Sequence, residues 1–181
     1  MKIGIITGSV REERNGKAVS NWVETYANSR NDQDVTYEVV ELANYDLPFL
    51  GVTPTEEQGA AIGAWSQKMA SFDGFVFVTP EYNRAVPGAF KNALDYLQPE
   101  LNNKAVAYVS YGGLGGLSAI QTLRLVAAEQ EMADVRTMVN FSLMTDFENM
   151  SVFVPNDYHK VNAEMMLNQL LSWSKAFKTI R

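Results

Sequence analysis

There is no cysteine in the 181 residues. Disulfides, a thiolate nucleophile and any Cys-ligated metal are therefore excluded. Histidine occurs once, as His159; it falls in a segment without periodic pattern, where a surface position and no catalytic role are expected. Long apolar runs are missing too, since no stretch approaches about 18 uninterrupted apolar residues, so no membrane span is expected. Met1 to Thr7 holds Lys2 and only a short apolar run, Ile3 to Ile6, shorter than the apolar region of a signal peptide. A cytoplasmic protein is the expectation. Positive charge is in deficit: 15 Lys and Arg stand against 21 Asp and Glu, a net charge of −6. A nucleic-acid binder usually presents a basic face, so no nucleic-acid partner is expected.

What remains is an ordinary globular balance, 46% hydrophobic and 20% charged, in a chain of one-domain length. Short apolar runs alternate with longer amphipathic stretches. Lys2–Thr7, Val35–Glu41, Gly74–Thr79, Ala105–Ser110 and part of Met132–Leu143 read as strands. Of these, Phe75 to Val78 form the continuous apolar run of a central parallel strand. Helical spacing appears over Lys17–Asn28, with Val19, Trp22, Val23 and Tyr26 on one face, and over Thr55–Ala70, with Thr55 as N-cap. It continues over Gly88–Leu97, Leu117–Glu129 and Asn162–Ile180, the last with Met166, Leu170, Trp173, Phe177 and Ile180 aligned. Leu47–Pro54 reads as a surface loop and Met144–Lys160 as irregular. Five strands alternating with five helices argue for an α/β fold, an open parallel sheet covered on both faces. In such sheets ligands bind beyond the carboxyl ends of the strands, so the loops after strands one, three and four are the place to look.

Those three loops hold the least generic residues. The first, Thr7 to Lys17, ends at a helix N-terminus, where unpaired N–H groups and a partial positive charge favour a phosphate. Ser9 can donate a hydroxyl, and Arg11 and Arg14 can make forked, charge-assisted bonds. With Lys17 they form a basic cluster in an acidic chain, while Gly8 and Gly16 allow close backbone approach. A Walker loop is excluded, because Arg11 stands where its first Gly belongs and Ala18 follows Lys17. The dinucleotide pattern G-x-G-x-x-G is absent here as well. Taken alone, the loop reads equally as a solvated segment whose Arg and Glu side chains pair.

The second loop, Pro80-Glu81-Tyr82-Asn83-Arg84-Ala85-Val86-Pro87-Gly88, is stiffened by bracketing prolines. It can aim backbone groups at the polar edge of a planar ring, with Tyr82 beside the ring, Asn83 donating and accepting, and Glu81 orienting the loop. A simple turn is the other reading. The third loop, Ser110-Tyr111-Gly112-Gly113-Leu114-Gly115-Gly116, lets backbone approach a flat ligand closely, or is only a tight turn before a helix.

Together the three loops resemble the NADPH-dependent FMN reductase family, which includes quinone, azo-dye and chromate reductases. The resemblance rests on Gly8-Ser9-x-Arg11, on Pro80-Glu81-Tyr82-Asn83 followed by Pro87 to Asp95, and on Ser110-x-Gly112-Gly113-x-Gly115-Gly116, in matching order from residue 1 to about residue 130. It implies a flavodoxin-like three-layer sandwich over residues 1–181, with strand order 2-1-3-4-5 and non-covalent FMN. Ser9, Arg11 and the stretch Arg14, Asn15, Gly16 and Lys17 would hold the phosphate. Pro80, Glu81, Tyr82 and Asn83 would hold the isoalloxazine edge, with Ser110, Gly112 and Gly113 flanking it. One departure stands out: many members carry Ser near position 14, where this chain has Arg14-Asn15-Gly16. The resemblance further implies NADPH or NADH as electron donor, a small-molecule acceptor, and a homodimer or homotetramer with Gly88–Leu97 as interface helix. No protein acid, base or nucleophile is required. The alternative is a flavodoxin-like carrier that binds FMN without oxidising NAD(P)H; the arginines of the first loop favour the reductase.

Overall fold

A computed structural model describes all 181 residues. Five parallel strands form one sheet in the order β2-β1-β3-β4-β5: β1 (Lys2–Thr7), β2 (Thr36–Glu41), β3 (Gly74–Pro80), β4 (Ala105–Gly112) and β5 (Ala133–Ser142). This is the order of the flavodoxin-like doubly wound fold. The crossovers are α1 (Gly16–Ser29), α2 (Glu56–Ala70), α3 (Gly88–Asp95) and α4 (Leu117–Glu129); α5 (His159–Phe177) closes the chain. No helix is long and apolar enough to cross a membrane.

Strand alternation divides the core into two layers. Ile3, Ile5, Val76, Val78, Ala105, Ala107 and Val109 face α1 and α5. Ile6, Phe75, Phe77, Val106 and Tyr108 face α2, α3 and α4. The second layer is aromatic: Phe77 meets Phe90 of α3 edge-on, with centroids 5.3 Å apart. Buried Trp65 of α2 donates its indole N–H to the Ala93 carbonyl at 2.8 Å. The expected N-cap of α2 forms a full capping box, in which Thr55 accepts from the Gln58 N–H and the Gln58 side chain accepts from the Thr55 N–H. At the amino edge of the sheet, buried Lys104 donates to the carbonyls of Met69 and Ala70 at the end of α2. Burial lowers its pKa to about 8.

Three expectations need correction. The buried stripe of α5 is Ala163, Met166, Leu167, Leu170 and Ser174, whereas Trp173 and Ile180 are exposed. The reason lies in the sheet: at Gly74 a Cβ would fall 2.3 Å from Ser174 Oγ. A small residue opposite a glycine lets the helix approach there, and Trp173, about 100° around the helix, turns to solvent. Met144–Lys160 is not wholly irregular, because it contains an antiparallel hairpin, β6 (Phe147–Glu148) and β7 (Val152–Phe153), and the first residues of α5. His159 is buried, not superficial: its Nε2 lies 2.9 Å from Oδ1 of buried Asp146, and its ring packs on Phe141. The sequence pattern fails there because the segment is organised by one buried carboxylate rather than by apolar periodicity.

Gly8 shows how tightly the sheet edge is packed. Its N–H donates to the Val78 carbonyl at 2.8 Å, and an added Cβ would lie 2.3 Å from the fully buried Phe90 ring. Gly8→Ala should destabilise the protein by about 1–3 kcal/mol through overpacking. Gly59→Ala, in a helix with open space around it, should be neutral or stabilising by up to about 1 kcal/mol. Urea unfolding midpoints of the two variants check this.

Candidate functional site

Parallel pairing delivers the loops after β1, β3 and β4 to the carboxyl edge of the sheet. There a cleft of about 90 Å³ gathers Ser9, Arg11, Arg14 and Asn15 from the first loop, Pro80, Glu81 and Tyr82 from the second, and Gly112 from the third. Five other sequence-derived candidates lie around it. Gly16 is buried behind the cleft, Lys17 is exposed on the first turn of α1, Asn83 sits at a turn tip, Ser110 is buried, and Gly113 is exposed on the rim. Tyr111, Glu13 and Leu143 also line the cleft.

In the first loop, Ser9 is 1% exposed, and its Oγ lies 3.4 Å from Tyr82 Oη. Gly16 has a steric reason to be glycine, because a Cβ there would meet Tyr111 Oη at 2.8 Å and Thr7 Cγ2 at 3.0 Å. Burial pushes the Tyr111 hydroxyl well above its ordinary pKa, so it stays protonated as a neutral floor. The two arginines have separate tasks. Arg14 donates from Nε and Nη2 to one Glu41 oxygen, each at 2.7 Å, and from Nη1 to the Arg11 carbonyl at 3.1 Å. It ties the loop to the end of β2. Arg11 is exposed and makes no salt bridge, so it supplies the uncompensated positive charge.

Asn15 occupies the N-cap position of α1 but makes no capping hydrogen bond; its Nδ2 donates to the Met150 carbonyl at 2.9 Å. The first-turn N–H groups of α1 therefore keep their capacity to bind an external acceptor. A buried hydroxyl, a free guanidinium and a free helix terminus at one cleft are the donor set that a phosphate ester requires.

The second loop is rigid. Tyr82 and Ala85 exchange N–H···O bonds of 3.0 Å in both directions, and Asn83 and Arg84 between them have φ of 49° and 69°, a tight turn of hairpin type. Glu81 orients the loop, as expected: its Oε2 accepts from the Ser118 N–H at 2.9 Å. It thereby serves the start of α4, whose N-cap, Gly116, has no side chain to do so. In the third loop the conformational need for glycine falls on Gly115 and Gly116, at φ of 80° and 77°. Ser110 Oγ donates to the Gly115 carbonyl at 2.6 Å and accepts from Asn140 Nδ2 at 2.7 Å, so its hydroxyl braces the loop from below.

Sequence reasoning missed a second, larger cleft. About 470 Å³ in volume, it lies between the segment from Leu42 to Phe49 and the start of α3, with Val10 on its wall. Val10 stands between Ser9 and Arg11 in the chain, so the two clefts flank one strand exit. Asn92 shapes this cleft, accepting from the Leu50 N–H at 2.9 Å and donating to the Pro48 carbonyl at 2.8 Å. Apolar residues inside the loop Leu47–Pro54, notably Phe49, Leu50 and Val52, all more than half exposed, were the available signal. Tyr111 stood inside the third loop without a role assigned to it, and Leu143 carried no signal because it reads as an ordinary strand residue.

The chain matches the sequence profile of the NADPH-dependent FMN reductase family over residues 1–146. It is 37% identical over 153 residues to an NAD(P)H-dependent FMN reductase of Schizosaccharomyces pombe, covering 80% of this chain and 74% of that protein. To a quinone reductase of Pseudomonas putida it is 33% identical over 132 residues, 67% of each chain. Among solved structures it resembles FerB, a flavoenzyme NAD(P)H:(acceptor) oxidoreductase of Paracoccus denitrificans. There the TM-score is 0.72 at 16% identity, over 97% of this chain and 98% of that one.

The two arginines separate in a stability experiment. Arg14→Ala leaves Glu41 with both oxygens partnerless, since Oε1 is already buried without one; a loss of about 1–3 kcal/mol is expected. Arg11→Ala removes no intramolecular ion pair and should leave the urea midpoint unchanged.

Proposed function

The chain belongs to the NADPH-dependent FMN reductase family, and from that premise we propose that the small cleft at the carboxyl edge of the sheet is its FMN phosphate site. The protein is an FMN-dependent NAD(P)H oxidoreductase. Bound FMN would supply the redox chemistry, hydride acceptance from NAD(P)H and electron delivery to a small-molecule acceptor. The chain's own residues bind and orient. Arg11, the buried Ser9 hydroxyl and the free N–H groups of α1 hold the phosphate. Backbone groups of Pro80 to Asn83 hold the ring edge, with Ser110 to Gly113 beside it. Glu81 and Ser110 act mainly through the loops they brace, and Arg14 acts through the shape of the first loop. Asn15, Gly16 and Lys17 complete the cradle. The observation that carries this reading is the convergence of an unpaired guanidinium, an uncapped helix start and a buried hydroxyl beside a rigid, proline-bracketed loop.

The 470 Å³ cleft suits the second substrate. Seven of its eleven lining residues are hydrophobic, and Asp46 is its one charged member, which favours a flat, weakly charged acceptor such as a quinone. Phe49, Leu50, Leu114 and Leu117 are exposed apolar side chains on the segments that follow β2 and β4, and covering them in a homodimer or homotetramer would remove apolar area from water. The whole chain, residues 1–181, is read as one FMN-binding unit working in the cytoplasm.

Two measurements test the reading. NADPH or NADH added anaerobically to the yellow holoprotein should bleach the flavin absorbance, and no bleaching would make it a carrier. Arg11→Ala should weaken FMN binding roughly ten- to a hundredfold, the loss expected for a charged contact of about 1.5–3 kcal/mol. Fluorescence titration reads that change, and equal affinity in variant and wild type would remove Arg11 from the phosphate site.

A further inference from the structure

The family match ends at residue 146, and the β6–β7 hairpin begins at Phe147. Its two ends are stitched together by Asp146. That carboxylate, 1% exposed, accepts from the Ser142 N–H at 2.9 Å, the Asn156 N–H at 3.3 Å and His159 Nε2 at 2.9 Å. The Asp146 carbonyl accepts from the Val154 N–H at 2.9 Å. Held this way, the segment after β5 meets the candidate cleft at three places, the last two of them on the hairpin. The Leu143 N–H donates to the Gly112 carbonyl at 2.9 Å, which makes Leu143 a wall. Buried Phe147 packs against Tyr111, with ring centroids 6.3 Å apart, and so supports the floor. At the tip, the Met150 carbonyl receives Asn15 Nδ2 at 2.9 Å.

The tip contact matters because of what Asn15 does not do. Asparagine at an N-cap ordinarily turns its side-chain oxygen onto the N–H of the second or third helical residue. Here the residue has φ −62° and ψ −22° instead of the extended backbone of a capping residue, and makes no cap bond. The hairpin draws its side chain away and leaves the first turn of α1 open. At the tip, Asn149 and Met150 have φ of 50° and 58°, a left-handed conformation unfavourable for methionine.

We infer that the β6–β7 hairpin is a clamp on the phosphate loop, with Met150 and Asp146 as positioning residues: the clamp diverts Asn15 from capping its own helix and keeps the α1 N-terminus free for the FMN phosphate. This rests on the FMN site proposed above. The hairpin touches the loop at its phosphate end, so the clamp acts on the phosphate group and not on the ring.

Met150→Pro tests it at an exposed tip that the core does not need. Proline is confined to φ near −65°, so the turn must re-form and its carbonyl leaves Asn15. Binding of FMN and of riboflavin, which lacks the phosphate, is measured by fluorescence titration, with thermal melting alongside. The expected result is a modestly lower melting temperature with the protein still folded, unchanged riboflavin affinity and FMN affinity lower by about three- to tenfold, the scale of one hydrogen bond. Met150→Gly, which keeps the left-handed turn without strain, should retain wild-type FMN affinity. Asp146→Asn should melt earlier and still show a reduced ratio of FMN to riboflavin affinity. A wild-type ratio in folded Met150→Pro overturns the clamp, and so does equal weakening of both flavins. Wild-type protein that binds neither flavin would instead defeat the cofactor site itself, and the clamp with it.

Discussion

Because β1, β3 and β4 pair in parallel, with Thr7 beside Val78 and Thr79 beside Ser110, the residues that follow them must emerge on one edge. Everything at the site depends on that geometry. A loop of arginines, a proline-bracketed turn and a glycine-rich turn lie far apart in the chain, and none is distinctive alone. Set side by side, they supply charge, rigid backbone and close approach within one cleft. Packing enforces the arrangement: Gly8, the first residue past β1, is pressed against Phe90 so closely that a methyl group would clash.

Electrostatics at this edge works by division of labour. The protein carries a net charge of −6, so a phosphate needs a local exception to the general field. Arg14 is neutralised by Glu41 and shapes the loop; Arg11 has no such partner and keeps its charge available. Glu81 follows the same logic with opposite sign. Its carboxylate accepts from the N-terminus of α4, so the one acid of the second loop is engaged by a helix end of opposite polarity. Tyr111, held neutral by burial, closes the floor without adding charge.

The hairpin after β5 extends this economy of partners. A buried carboxylate with several donors organises a segment that has almost no apolar periodicity, and the segment then reaches back to the first loop through Met150 and Asn15. The conformation of the first loop is thereby tied to the hairpin that follows β5.

Much was legible in the sequence. The strand and helix order followed from apolar runs and helical spacing, because burial on both faces of a parallel sheet leaves a strong imprint on composition. The resemblance supplied the strand order, and the three loops could be named because Arg, Pro and Gly have conformational and electrostatic effects that act locally. The tertiary structure alone decided which residues those effects serve. Spacing could not show that Arg14 belongs to Glu41 while Arg11 stands free, that Glu81 caps a helix 37 positions away, or that Ser174 rather than Trp173 faces the sheet. His159 looked like a surface residue because its burial depends on Asp146, a single hydrogen-bonded partner that leaves no periodic trace. Partner choice among polar groups is set by distance in the folded chain, and that is the information a linear pattern lacks.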